Sequence, residues 1–593
     1  MTEASTEAAG LRLAGIGIRY PGRREPALVD IGLVVAPGER VGVTGRTGAG
    51  KSTLALTAGG FIPRVVRATL TGTVTIDGID AALPDAGAQL LGRVGIVFST
   101  PANQLSASKP TVREELAFGL ENLGVPRDEM DGRIDGVLTR LGIGHLADRE
   151  PFALSGGEQQ RVAIASIVAM GTDVLVLDEP TAQLDPAGTA DVGALLGELA
   201  AGGTAILCVE HDPMILGAMD RVLVLDRGRV VGIDRPGVAL GRSVAGTVGL
   251  RAPSLVRLAE AAGIDPGLAF DESAVADGLR SSGRQLGRDN LASGGAAVPV
   301  ADALADATAW RPDAGREPTT IEVDRLVHRY PGEVEAVRGV SLTIPSGQAV
   351  AILGQNGSGK TTLVKHFNGL LRPASGDVLI DGRSRVSDRV DQLAATVGFA
   401  FQNPDDQLFE RTVEREVAFG PRNLGMPAER VATLVERSIA AVGLTEDRTT
   451  NPYDLDLSRR KLVALASVLA MDPAVLVLDE PTTGQDPEGI ARVASVVAAW
   501  RAAGRTAIAI THDMEFAATT FERIVVMRRG EIIADGPPTD VLTAANADLL
   551  ASTGLTPPPT ARIADVLGLT PPPFAVEGLL DALVARGSHT APG

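Results

Sequence analysis

The chain is written twice. GRTGAGKST at 45–53 returns as GQNGSGKTT at 354–362, and VLVLDEPTAQLD at 174–185 returns as VLVLDEPTTGQD at 475–486. VEHD at 209–212 returns as ITHD at 510–513, and RYPG at 19–22 as RYPG at 329–332. The segments keep one order in both copies, so a whole folding unit is duplicated. At 593 residues the chain is in any case too long for a single hydrophobic core. Each copy opens with a short apolar run (VGVTG, AVAILG) that enters a Gly-rich turn and a helix-like stretch. Each later carries an apolar run, VLVLDE, of the kind that forms a buried strand of a parallel sheet. Strands alternating with helices predict an α/β fold in each half. A fainter repeat follows each unit: LRAPSLVRLAEAAGIDP at 250–266 parallels LTPPPTARIADVLGLTP at 555–571, predicting one small helical appendage per copy. The predicted division is 1–245 and 319–545 for the two units, 546–593 for the second appendage, and 246–318 for the first appendage and a linker. Within that last stretch, residues of about 281–318 are polar and rich in Gly and Ala.

The repeated segments have the residues of a nucleotide site. G-x-x-x-x-G-K-[ST] occurs between a strand and a helix in both halves, the context this motif requires. The first copy is Gly45, Arg46, Thr47, Gly48, Ala49, Gly50, Lys51, Ser52 and Thr53. The second is Gly354, Gln355, Asn356, Gly357, Ser358, Gly359, Lys360, Thr361 and Thr362. Glycines let backbone N–H groups converge on phosphate oxygens, and the following helix N-terminus adds partial positive charge. Lys51 and Lys360 are placed to reach the phosphates of ATP, and Ser52 and Thr361 to hold Mg²⁺. Only five of the 55 basic residues are Lys, and two stand at these positions; a compact ammonium suits them better than a planar fork. At the ends of the apolar strands, Asp178 and Asp479 suit the Mg²⁺ shell. The adjacent Glu179 and Glu480 can polarise an attacking water.

LSGGEQQR at 154–161 follows in the first half. It resembles the signature of ABC-transporter ATPases, and the resemblance spans about 10–245 and 320–545. The fold it implies is two P-loop NTPase cassettes in one chain, each with a helical subdomain. It further implies cassettes packed head to tail, with two ATP sites each shared between halves, so that Ser155, Gly156 and Gly157 reach the partner's nucleotide. By the same resemblance His211 and His512 are switch histidines near the γ-phosphate. Tyr20 and Tyr330, two of only three tyrosines, resemble the aromatic that stacks on adenine.

The copies are not equal. FQNPDDQLF at 401–409 carries Gln402, which the resemblance identifies as a contact to Mg²⁺ and water; FSTPANQLS at 98–106 has Ser99 there. Opposite Leu154-Ser155-Gly156-Gly157-Glu158 the second half reads Leu455-Asp456-Leu457-Ser458-Arg459. Asp456 offers a carboxylate where phosphate belongs and can cap the helix itself. Leu457 adds a side chain where Gly allows close approach. Arg459, Arg460 and Lys461 are positioned to compensate in part. With shared sites both defects fall on one of them. The expectation is a weak or regulatory first site and a hydrolytic second site built on Lys360, Gln402, Glu480 and His512; the alternative is slow turnover at both.

PDDQLF followed by TVEREVAFGPRNLG (412–425), echoed by PANQL and TVREELAFGLENLG (111–124), resembles the ATPases of energy-coupling-factor importers. That resemblance implies separate membrane partners: a T component, whose coupling helix meets the Gln-Leu segment, and an S component that binds the micronutrient. It leaves the ATPase with no contact to the transported substrate. Alternatives are the fused ATPase of a sugar or nucleoside importer and a ribosome-associated tandem cassette. Against the last, the net charge is −18, residues 251–318 hold more acidic than basic side chains, and one signature is broken. The same charge disfavours nucleic acid as a general partner. No run of 18 or more apolar residues is present, the first residues lack the pattern of a signal peptide, and Cys208 is the sole cysteine. These features place the expected protein on the cytoplasmic face of the cell membrane, held there by its partners.

Overall fold

The computed structural model describes residues 10–282 and 319–588, apart from residues 47, 183, 332 and 333. Thr47 and most of the expected linker lie outside the described residues. The chain divides into two compact units, Met1–Val275 and Ala276–Gly593.

In the first unit a six-stranded sheet runs in the order Arg229–Asp234, Arg221–Asp226, Arg40–Gly45, Ala205–Val209, Val174–Asp178 and Val94–Val97. All its pairings are parallel except the outermost hairpin. Val174–Asp178 and Ala205–Val209 are buried at every position, which is why they read as unbroken apolar runs rather than alternating ones. A four-stranded antiparallel sheet, ordered Leu28–Val35, Leu11–Arg19, Thr69–Ile76 and Ile79–Asp80, packs its alternating apolar face into the same core. Leu11–Arg19 shows that alternation with Leu11, Leu13, Ile16 and Ile18 inward. The register slips between Leu13 and Ile16 against Leu28–Val35 and between Ala14 and Gly17 against Thr69–Ile76, an irregularity in both ladders that Leu11–Arg19 makes. A helical subdomain of Val112–Asn122, Arg127–Arg140 and Gly156–Ala169 is inserted between the strands Val94–Val97 and Val174–Asp178.

The second unit repeats this plan. Its six-stranded sheet is ordered Val397–Ala400, Val475–Asp479, Thr506–Ile510, Ala349–Leu353, Arg523–Arg528 and Glu531–Gly536. Its helical subdomain is Val413–Asn423, Ala428–Ala441 and Leu457–Ala470. Among the described residues, helices Ser254–Ala262 and Glu272–Ser282 follow the first cassette, and Ala547–Ala551, Pro559–Val566 and Val576–Ser588 follow the second. Leu550 and Leu555, just ahead of Pro559–Val566, share the core of the second cassette with Trp500.

Strand order decides what can meet. In open parallel sheets, functional groups gather at the carboxyl ends of adjacent strands. Here the strand leading to the Gly-rich loop, the strand leading to His211 or His512 and the strand ending in Asp-Glu are consecutive neighbours in both units.

Candidate functional site

In both loops the backbone demands glycine just before the helix. Gly50 and Gly359 cap the helices Lys51–Ala58 and Lys360–Lys365 with φ of 101° and 99°. A Cβ there would lie 2.7 Å from the Ala27 carbonyl oxygen and 2.2 Å from that of Ala336. Only glycine fits both the left-handed backbone and the close approach. Lys51 and Lys360 are each 6% exposed and fold back over their own loops. Lys51 Nζ donates to the carbonyls of Gly45 and Arg46 at 3.0 and 3.1 Å. Lys360 Nζ donates to those of Gly354 and Gln355 at 2.7 and 2.8 Å. Each tyrosine is tied to the same helix: Tyr20 Oη lies 3.2 Å from Thr53 Oγ1, and Tyr330 Oη 3.2 Å from Thr362 Oγ1. Tyr330 is 39% exposed, leaving ring surface open to solvent.

Asp178 and Asp479 are buried beside the loop hydroxyls. Thr361 Oγ1 donates to Asp479 Oδ1 at 3.3 Å, and Ser52 hydrogen-bonds Asp178. Burial pushes both carboxyls up, Asp479 to about 6 with Glu480 adding to it. Asp178 Oδ1 is buried with no hydrogen-bond partner, an expensive arrangement that a cation would relieve. An all-oxygen set of one hydroxyl and one carboxylate suits Mg²⁺, so the residues present fit that metal.

The glutamates that follow adopt a left-handed backbone, with φ of 52° at Glu179 and 48° at Glu480. Such a conformation is strained for a residue with a Cβ and recurs at functional sites. From the neighbouring strand, His512 Nδ1 reaches Glu480 Oε2 at 2.9 Å, whereas His211 Nε2 stands 3.6 Å from Glu179 Oε1. Their charges diverge accordingly. Burial pushes the Glu480 carboxyl up, but His512, Lys360 and Lys461 outweigh it and leave it below its ordinary range. Burial pulls His512 down, but Glu480 outweighs that and raises it. In the first cassette burial raises Glu179 against the pull of Lys51. Burial and Lys51 lower His211 to about 3.

The signature helices begin differently. Ser155 caps Gly156–Ala169 in a capping box with Glu158, whose carboxylate takes the Ser155 N–H at 2.9 Å. Asp456 caps Leu457–Ala470 by accepting the Arg459 N–H at 2.9 Å. Leu457 is 38% exposed at the first turn. The three cations expected to compensate are engaged inside their own cassette. Arg459 pairs with Asp447 at 2.9 Å, Arg460 with Asp405 at 2.6 Å, and Lys461 Nζ donates to the Glu480 carbonyl at 3.0 Å.

Gln402 is exposed, at the end of the strand Val397–Ala400, and Ser99 takes the matching place after Val94–Val97. The glutamines five residues on have a role that sequence reading missed. Gln407 Oε1 accepts the Phe401 N–H at 3.2 Å, while its Nε2 donates to the Ala464 carbonyl and Ser467 Oγ, both at 2.8 Å. Gln104 makes the corresponding bonds to Phe98 at 3.1 Å and Ala163 at 3.3 Å. Each brace fastens the loop to the signature helix of its own cassette. The spacing Gln-x₄-Gln in FQNPDDQ is the only trace of this in the sequence.

Phosphate loops at the carboxyl ends of parallel sheets, each beside a buried Asp, the Glu that follows it and a histidine from the neighbouring strand, define the class: a P-loop ATPase carrying two cassettes. The ABC transporter family profile matches residues 28–182 and 337–483. A protein of Methanosarcina acetivorans named as an ABC transporter ATP-binding protein is 37% identical over 569 residues, covering 93% of this chain and 90% of that protein. A similarly named protein of Caldanaerobacter subterraneus is 33% identical over 91% of this chain and 93% of its own length. Among solved structures, cbiO1 from Clostridium perfringens, described as part of the ABC transporter complex cbiONQ, is 32% identical. It covers 43% of this chain and 100% of its own, with a TM-score of 0.37. The chain belongs to the ABC transporter family, as a tandem ATPase. ATPases of this family bind ATP, generally with Mg²⁺, and normally work with membrane subunits. Among the described residues no helix is long and apolar enough to cross a membrane.

Proposed function

We propose that this ATPase powers an energy-coupling-factor-type importer for a micronutrient, with hydrolysis mainly where the second phosphate loop meets the first cassette's signature. The observation that carries the asymmetry is the pairing at Glu480: His512 lies 2.9 Å away and the carboxyl is held ionised. In this reading ATP lies with its phosphates on the N–H groups of 354–362 and on Lys360, and its adenine against Tyr330. Thr361, Asp479 and Gln402 would hold Mg²⁺, which supplies charge neutralisation on the phosphate oxygens. Glu480, as carboxylate, accepts a hydrogen bond from the attacking water and orients it toward the γ-phosphorus. His512 lies against the Glu480 carboxylate and is placed to stabilise charge that develops on the phosphoryl oxygens. Ser155, Gly156 and Gly157 complete the site, as the family's shared arrangement implies.

The first loop, with Lys51, Ser52, Asp178, Glu179, His211 and Tyr20, is read as a nucleotide site of low turnover. Ser99 replaces the glutamine there, and the signature meant to complete it begins with Asp456 and Leu457. The helices after each cassette, within 246–318 and 546–593, are read as small helical appendages, one per cassette.

The membrane partner is supported by the surface next to Gln407. Phe409 and Phe419 pack edge to face with centroids 4.5 Å apart, yet are 57% and 40% exposed. Tyr453 beside them is 51% exposed and donates to the Leu408 carbonyl at 2.7 Å. A cluster of solvent-facing aromatics of this kind marks an interaction site, and a coupling helix of a T-like subunit fits it. An S-like subunit would then bind the micronutrient, and the chain sits peripherally on the cytoplasmic face.

The test is the steady-state ATPase rate of the assembled complex. Glu480→Gln is expected to lower turnover by about 10²–10⁴-fold, the range for removing a general base, and Glu179→Gln far less. Equal losses would overturn the assignment of one hydrolytic site.

A further inference from the structure

The copies differ at one buried position that the hydrolytic machinery does not use. The residue before the switch histidine is Glu210 in the first cassette and Thr511 in the second. Glu210 is 3% exposed, and its carboxylate gathers four donors from two segments. Oε1 accepts the Thr181 N–H at 3.1 Å and the Thr181 hydroxyl. Oε2 accepts the His211 N–H at 2.7 Å and the Asp212 N–H at 3.0 Å. Thr181 lies in the turn just after Asp178-Glu179-Pro180, so one side chain bridges that turn and the switch segment. In the second cassette a single hydroxyl stands in its place. Thr511 Oγ1 lies 3.4 Å from Thr482 Oγ1 and accepts the Asp513 N–H at 3.0 Å. There the switch histidine makes its own close contact to glutamate, which His211 does not.

We propose that Glu210 is the positioning residue of the first switch segment, fastening it to the Asp-Glu turn and thereby slowing release of ATP from the first phosphate loop. The second half of this statement rests on ATP binding at that loop. Hydrogen bonds to a charged acceptor are the strong class, and losing one partner of a buried set costs more than the average bond contributes. Four such bonds make the segment's position depend on one carboxylate. The groups facing it are Thr181 on the turn, Cys208 and Asp212 on its own segment, and the backbone of His211, whose ring stays neutral. None supplies a positive charge. Burial, with Asp212 adding to it, pushes the carboxyl up to about 7. Above that pH all four donors meet an anion. Below it an O–H occupies one acceptor position, so a donor is lost or must reverse its role. The clamp is therefore tight on the alkaline side of neutrality and slack on the acid side.

The experiment uses the full chain with two readouts. Hydrogen exchange, corrected for intrinsic rates, follows the amides of Thr181, His211 and Asp212 between pH 6 and 8. Release of a fluorescent ATP analogue is measured over the same range with Lys360→Ala added, so that the first loop alone reports. At pH 8, Glu210→Thr is expected to speed both exchange and release by about 10-fold or more, the equivalent of one charged hydrogen bond. The unmutated residue should approach the variant's values as pH falls to 6, while the variant's profile stays flat. Glu210→Gln keeps the shape without the charge and should match the acid limb at every pH. Parallel pH profiles for all three would reduce Glu210 to a packing residue and overturn the proposal. Unchanged amide protection in Glu210→Thr would sink the clamp itself. Lost protection with unchanged release would sink its effect on nucleotide. If no analogue binds when Glu210 is intact, the reading of the first loop as an ATP site fails instead, and the amide profiles still decide the clamp.

Discussion

At His512 the Glu480 carboxylate stands 2.9 Å from Nδ1 and raises an imidazole that burial alone would lower. At His211 the glutamate stands farther off, at 3.6 Å, and burial and Lys51 lower the ring to about 3. Two histidines at matching positions are thus shifted in opposite directions by what lies within a few ångströms. Histidine NMR of the nucleotide-free chain should show His512 titrating above its ordinary value and His211 remaining neutral throughout the accessible range. Glu480→Gln removes the raising influence, so the His512 midpoint is expected to drop; a midpoint that does not move would refute the pairing. Glu179→Gln should leave His211 neutral. The histidines, the lysines and the Asp-Glu pairs were legible in the sequence because each motif is local and occurs twice. Glu210 was not, since its meaning depends on a hydroxyl and an amide 29 residues away in the chain.

The signature helix shows how an element with a conventional outline takes on different chemistry. Leu457–Ala470 has the length and burial of its counterpart Gly156–Ala169, and both carry a side-chain cap. In the sequence the run Arg459-Arg460-Lys461 after Asp456 reads as loose positive charge. Packing assigns each cation a partner instead, and Lys461 ends 9% exposed against the strand end at Glu480. Burial lowers its ammonium to about 8, against the opposing pull of Glu480 and Asp479. The corresponding Gln160 is fully buried, and neither side-chain polar atom has a hydrogen-bond partner. For Lys461 the folded-state value lies below the unfolded one, so the folded protein binds this proton more weakly. Its contribution to stability therefore rises as pH increases from about 8 toward 10.5. Relative to Lys461→Met, the unmutated protein should gain up to about 3 kcal/mol across that interval, read from melting temperatures at several pH values. A constant difference would show that the amine keeps its ordinary affinity for the proton.

For the molecule as a whole, duplication made the α/β plan readable, because the phosphate loop, the Asp-Glu pair and the histidine after the next strand all sit at strand ends of one sheet in each unit. The docking surface was only half readable. PDDQLF marked the place, yet Gln407 turns inward as a brace and Asp405 is held by Arg460, leaving Asp406 and the aromatics to face outward. Charge reversal at Asp405 would therefore disturb an internal ion pair as well as any partner contact. The cleaner test combines Asp406→Arg with Phe409→Asp. Co-purification with the membrane subunits, and stimulation of hydrolysis by them, should be lost while ATP binding is retained. Retained assembly would remove the coupling assignment.

The left-handed backbone at Glu179 and Glu480 sets stability against chemistry at a single residue. Glycine would adopt that conformation without the penalty of about 1–2 kcal/mol that a Cβ incurs, though it would abolish the carboxylate. Selection for thermal robustness alone would therefore push each position away from glutamate. Glu179→Gly should melt at a higher temperature than Glu179→Ala, and a lower melting point would show that the backbone there is relaxed. The first cassette has Ser99 where the second has Gln402 and still keeps this costly residue. A copy drifting free of function has an easy downhill step available here, and in this chain it has not been taken.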